Sequence, residues 1–236
     1  MEYALQHIAG DWRRLIPSRF PPIDVYSRLG DSSLRSVAQE LESLTNPRLR
    51  ARNVVASAAS EAGGVPARLQ NWNHAPFAYK DPEGSTFLNP LFGVLELMDG
   101  VEAALRRAIL RREVFLGRTD EPAMDLDMRV LVTRVEGEFV DLRDAPLDPD
   151  RSRRWQLGAR LREDGAAGVL FRPSSHLADQ GLAIFDAAAL AAQSVQANHY
   201  RFVWDGRVIS SVYDFSSGTE IRRDELFAQS AGQAAA

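Results

Sequence analysis

Apolar and polar positions follow two different periods along this chain, and each change of period marks out an element. GVLEL, residues 93–97, is a short apolar run bounded by Gly93 and Asp99, which suits a strand inside a sheet. Beyond it, Val101, Ala104, Leu105, Ala108, Ile109, Phe115 and Leu116 recur at helical spacing and predict an amphipathic helix. Asp99 with Glu102 three residues later reads as a capping box that opens this helix. Arg107 and Arg111, one turn apart, fall together on the flank of the apolar face. Arg112 falls near its middle, where a guanidinium needs an anionic partner, and a structural ion pair is expected there.

The same reading extends to the rest of the chain. Residues 2–15 predict a short helix ended by the Ile16–Pro17 step, followed by a proline-bearing extended segment with Arg19 near its start. Leu34, Val37, Leu41 and Leu44 predict a helix from Asp31 to about Leu44, and Pro47 opens a further helical stretch. Residues 61–82, with Gly63-Gly64 and three prolines, read as a long loop that carries Trp72, His74 and Tyr79 as anchors. MRVLVTRV (128–135) and FVDL (139–142) predict two strands joined by a turn at Glu136-Gly137-Glu138. WQLGARLRE (155–163) predicts a helix, GVLF and GLAIF two strands, and DAAALAAQS (186–194) a short helix. HYRFVWDGRVISSVYDF, two alternating runs joined at Asp205-Gly206, is the strongest hairpin signal. Strands in hairpins separated by helices give an α+β class. The expected division is a helical segment over 1–60, an α+β domain over 61–228 and a frayed tail over 229–236.

Composition narrows the functional classes. A net charge of −4 argues against a generic nucleic-acid binder, whose footprint is basic. The absence of cysteine removes disulfides, thiolate nucleophiles and cysteine-ligated metals. His7, His74, His176 and His199 are scattered without a ligand-pair spacing, so no metal site is expected. Phosphate-loop, dinucleotide-fingerprint, nucleophile-elbow and zinc-protease patterns are all lacking. No run reaches the roughly 18 apolar residues of a membrane span, and MEYALQHIAGDW lacks the form of a signal peptide. The expectation is a cytoplasmic protein.

Eight blocks carry a resemblance. LIPSRFPPIDVY, ESLTNPRLR, PEGSTF, PLFGVLEL, RREVFL, DMRVLV, GVLFRPSSH with LAIF, and HYRFVWDGR occur in this order between about Leu15 and Phe215. Together they resemble the longer members of the RES-domain family. The resemblance implies a fold related to ADP-ribosyltransferase toxins, with a central mixed or antiparallel sheet and flanking helices. It implies a toxin of a bacterial toxin–antitoxin pair, neutralised by a helical Xre-type antitoxin. A sister RES protein or a second copy of the chain is a further candidate partner. It also implies NAD as substrate or ligand, cleaved at the nicotinamide–ribose bond by hydrolysis, phosphorolysis or transfer of ADP-ribose.

Such chemistry needs a carboxylate for an oxocarbenium-like state and guanidinium groups for a pyrophosphate. The family pocket supplies two arginines, a tyrosine, a glutamate and a serine. Matched position by position, the first arginine is Arg19 and the serine is Ser174. The second arginine is replaced by Thr86, the tyrosine by Glu96 and the glutamate by Arg107, while a histidine frequent one turn on is Arg111. Glu96 and Ser174 are therefore the candidate catalytic groups, and Arg19, Thr86, Arg107 and Arg111 the candidate cofactor-binding ones. Ser174 and His176 lie too close in one turn for a nucleophilic triad. The replacements point to a catalytically degenerate member that binds an NAD- or ADP-ribose-like ligand or a protein partner. The alternatives are retained NAD cleavage, with Glu96 as the acid and Arg107 on the phosphates, and an ion pair that simply fills the former pocket.

Overall fold

The computed structural model describes residues 3–18, 71–78, 80–174 and 179–228. Their centre is one eight-stranded sheet. Its strands are β1 (Leu5–Pro17), β2 (Leu95–Met98), β3 (Met124–Asp141), β4 (Gly168–Phe171), β5 (Gly181–Ile184), β6 (Val195–Trp204), β7 (Ile209–Asp214) and β8 (Thr219–Arg222). The helices are α1 (Asn71–Ala78), α2 (Val101–Leu116), α3 (Arg151–Glu163) and α4 (Arg223–Ala228). The order β1-β2-β5-β4-β3-β6-β7-β8 is antiparallel except where β3 runs parallel to β4. A mixed sheet with flanking helices is the α+β arrangement expected.

Because β1 also pairs with β3, strands β1, β2, β5, β4 and β3 close into a ring, from which β6, β7 and β8 continue. Alternation along the strands then sorts the core. Leu95 and Leu97 turn to one face with Leu182, Ile184, Leu170, Phe139 and Trp12. Met98 turns to the other face with Phe87, Val169, Phe171 and Ala183, where Ala103 and Ala104 of α2 and Leu161 of α3 cover it. Further along α2, Leu105 and Ile109 pack on Val130, Phe202 and Val212. Glu96 shares the helix-covered face of β2 with Met98, so its side chain is directed at α2.

Four local expectations are corrected. Residues 2–15 do not form a helix: Leu5–Pro17 is a strand paired without interruption to β3, from Leu5 opposite Val140 to Pro17 opposite Met128. Such a pairing across the chain outweighs a weak local helical preference. The turn at 136–138 does not form either, since His7, Ile8 and Ala9 of β1 pair straight through Glu138, Gly137 and Glu136 and hold β3 in one piece. The loop over 61–82 contains a helix, α1, whose Asn73 is fully buried. Asn73 Nδ2 donates to the carbonyl of Ala192 (3.1 Å), while its Oδ1 accepts from Ser194 Oγ. Finally, Asp99 does not cap α2. Its N–H is spent on Gln180 O (3.1 Å) and its carbonyl accepts from Arg13 (2.8 Å), so the extended Gly100 stands at the N-cap without a side-chain bond.

The remaining elements follow their signals. Asp150 caps α3 by accepting from Ser152 N–H (2.8 Å). The β6–β7 hairpin turns at Asp205-Gly206, where Gly206 takes φ +99° and Asp205 Oδ1 accepts from the N–H groups of Arg207 and Val208. DAAALAAQS shortens to one 3-10 turn, Ala187–Ala189, before Leu190 bridges to Val135. The helices expected over 31–44 and after Pro47, Arg19, His176, the side chains of Trp72, His74 and Tyr79, and the tail lie outside the described residues. The sheet itself draws strands from both sides of the expected division at residue 61.

Candidate functional site

Glu96 is the centre of the candidate site, and the fold buries it. Its side chain keeps 2% of its exposure, lying under α2 and behind the turn that carries Thr86. Burial alone would push the carboxyl up in pKa, but the Arg107 guanidinium and hydrogen bonds from Thr86 and Arg107 outweigh it and hold the group below the usual glutamate range. Oε1 accepts from Thr86 N–H at 2.6 Å. Oε2 accepts from Arg107 Nε (3.1 Å) and Nη2, and from Arg111 Nη1 at 3.5 Å. Arg107 Nη2 also donates to Thr86 Oγ1 at 2.9 Å, closing a three-residue network. With donors on both oxygens, this carboxylate is an occupied acceptor.

The helix spacing explains who reaches it. Arg107 and Arg111 are one turn apart on the flank of α2, so both guanidinium groups come down the same side of the helix. Arg107 keeps 29% of its side-chain exposure and Arg111 43%, so the cluster opens to solvent through its arginines. Arg111 is drawn further out by Asp81, which it meets in an ion pair. Two sites were not foreseen from the sequence. Asp81 lies just ahead of the Thr86 turn and has no periodic relation to α2, so only the fold could bring it there. Arg14 of β1 is the other: burial, and then repulsion from Arg111, bring its guanidinium down to about 10, which leaves it charged at neutral pH. Its only signal was its place one residue ahead of LIPSRF.

Of the residues expected together, Thr86, Glu96, Arg107 and Arg111 do meet. Arg19 lies outside the described residues. Ser174 follows β4 by three residues, at the strand end where Phe171 pairs with Gly181 and Gly181 with Met98. That is the end at which α2 begins, about a turn and a half before Arg107. Asp179, just ahead of β5, is held by Arg106, which donates to both its oxygens (2.9 and 2.6 Å) and to Leu226 O (2.8 Å). Consecutive arginines of α2 thus divide the labour, Arg106 for Asp179 and Arg107 for Glu96. The ion pair expected for Arg112 is not made among the described residues. Burial of Arg112 pushes its guanidinium down. Among the described residues, no group of three or more metal-ligating side chains gathers, and no helix is long and apolar enough to cross a membrane.

The depressed pKa of Glu96 carries a pH dependence with a definite sign. An acid that ionises more easily in the folded chain adds stability that is complete above its ordinary value of 4.5 and drains away as pH falls through its folded value. Urea denaturation between pH 3 and 7 is expected to show a steeper acid loss for the wild type than for Glu96→Gln. Parallel pH profiles would mean that Glu96 is not held ionised.

Comparison with known proteins adds to this geometry. The family model for the RES domain matches residues 65–205. An uncharacterized protein of Sinorhizobium fredii (strain NBRC 101917 / NGR234), y4oC, is 41% identical over 220 residues, spanning 93% of this chain and 94% of that protein. A crystal structure of the M. tuberculosis MbcT–MbcA toxin–antitoxin complex overlays with a TM-score of 0.35 and 16% identity, over 50% of this chain and 71% of the other.

Proposed function

Because this chain belongs to the RES-domain family, we propose that it is a toxin–antitoxin-type protein that has exchanged catalysis for binding. In this reading it works in the cytoplasm, holds an NAD- or ADP-ribose-like anion on Arg107 and Arg111, and pairs with an antitoxin, an Xre-type helical protein being the family expectation. The observation that carries it is the state of Glu96. A carboxylate that stabilises an oxocarbenium-like centre must present a free oxygen to it. Glu96 has donors on both oxygens and a side chain that keeps only 2% of its exposure. Its neighbours, by contrast, are suited to a pyrophosphate, since guanidinium groups pair with phosphate oxygens in a forked geometry.

One observation favours a second reading, retained NAD cleavage. The arginines are partly exposed, so a bound phosphate could draw them from Glu96 and free the carboxylate at the moment of reaction. Incubation with NAD separates the two. For the binding reading, nicotinamide release stays at the buffer level, while calorimetry with ADP-ribose gives a saturable heat that Arg111→Ala weakens about tenfold, the worth of one charged hydrogen bond. Nicotinamide release by the wild type that Glu96→Gln abolishes would establish the second reading in its place. No heat with either NAD or ADP-ribose would end the ligand claim.

A further inference from the structure

A second concavity lies on the other side of Thr86. It encloses about 570 Å3 between α3 and the segment that follows β3, within the roughly 300–1,000 Å3 of small-molecule sites. Its floor is apolar, built from Tyr3, Phe87, Leu142, Leu147 and Leu157. Its rim is cationic. Arg153, Arg154 and Arg160 line it against a single acid, Asp148.

The arginines are not equivalent. Arg154 is committed to the protein, donating from Nε to Thr86 O (3.2 Å) and from Nη1 to the carbonyls of Asp148 and Pro149. Arg153 makes only long, exposed contacts to Asp148 (3.8 Å) and Asp150 (3.6 Å). Arg160 makes no side-chain hydrogen bond or ion pair among the described residues. Arg153, Leu157 and Arg160 are spaced four and three apart, so α3 presents cation, apolar side chain and cation along one face. An apolar floor beneath cations that the described residues hold only loosely or not at all asks for one kind of occupant. A neutral apolar molecule would leave the arginines unused, and a bare inorganic anion would leave the floor wet.

We infer that this cleft is a ligand site, distinct from the Glu96 cluster, for a small anionic molecule with an aromatic or alkyl body. The ligand's acid group meets Arg160 and Arg153, and its body lies on Leu147 and Leu157. This site does not depend on what the Glu96 cluster binds or does.

The probe is 8-anilinonaphthalene-1-sulfonate, an aromatic ring system carrying one sulfonate. Titration of the full chain by fluorescence is expected to saturate at one site per chain. Arg160→Glu should weaken it at least about tenfold by reversing a charge contact, and Ala145→Trp, at the exposed mouth of the cleft, should block it. Both substitutions are on the surface, and near-ultraviolet circular dichroism identifies any variant that has lost its packing. The Arg111→Ala variant should bind the probe as the wild type does. Non-saturable fluorescence, or equal affinity in wild type, Arg160→Glu and Ala145→Trp, would overturn the proposal. Loss of the probe with Arg111→Ala would assign it to the Glu96 cluster and overturn it equally.

Discussion

Arg107→Met is expected to cost the protein about 3 kcal/mol, the low end of the range for stripping one partner from a buried ion pair. The residue left behind decides the size. Glu96 is almost entirely buried and cannot turn to water, so without Arg107 its charge rests on Thr86 N–H and a 3.5 Å contact from Arg111. Those two contacts keep the loss from reaching the top of the range. The double variant Glu96→Leu/Arg107→Met removes both charges at similar volume and should recover to within about 1 kcal/mol of the wild type. Chemical denaturation of the wild type, the two single variants and the double variant measures the coupling. If Arg107→Met unfolds at the wild-type denaturant concentration, Glu96 is not the buried anion described here.

Gly158→Ala is expected to be comparably harmful, against the usual sign for a helix. In an exposed helix interior that exchange stabilises by about 1 kcal/mol. Here α3 lies directly on the turn before β2, and an added Cβ would stand 1.9 Å from Phe87 O and 2.9 Å from Phe87 Cβ. The neighbour is backbone, next to a phenyl ring packed edge-on against Phe171, with centroids 5.1 Å apart. It cannot rotate aside, so the helix must lift. Overpacking on this scale costs about 3 kcal/mol, which leaves a net loss of about 2 after the propensity gain. Gly137→Ala is the control, since its Cβ would meet nothing nearer than 3.5 Å. Equal urea midpoints for the two variants would show that α3 does not sit this close.

What was legible in the sequence was legible for local reasons. GVLEL, the helix after it, WQLGARLRE and the Asp205-Gly206 hairpin each carry their own period and punctuation, and each forms. β1 carries no such signal. Its exposure alternates only because β3 lies beside it, and its partners are more than a hundred residues away. The same distant pairing erased the expected turn at Gly137. In the site, the spacing of Glu96 and Arg107 across one strand–helix junction was enough to pair them. Asp81 and Arg14 needed the folded chain, because no periodicity relates a turn or another strand to a helix flank. Arg112 differs for the opposite reason: its place on α2 follows from spacing, but what stands opposite depends on tertiary packing, and among the described residues no acid pairs with it.

The pairing of β1 with β3 also sets the order in which this protein can be finished. Pro17 meets Met128, 111 residues later in the chain. At ribosomal speeds that interval lasts roughly 5 to 20 s, during which Ile8, Trp12 and Leu15 have been synthesised but their β3 partners have not. Trp12 ends in the ring's core and Leu15 against α2, so the earliest strand waits as a sticky ribbon until the longest one emerges. Nascent chains halted before residue 128 should therefore be the ones that chaperones hold.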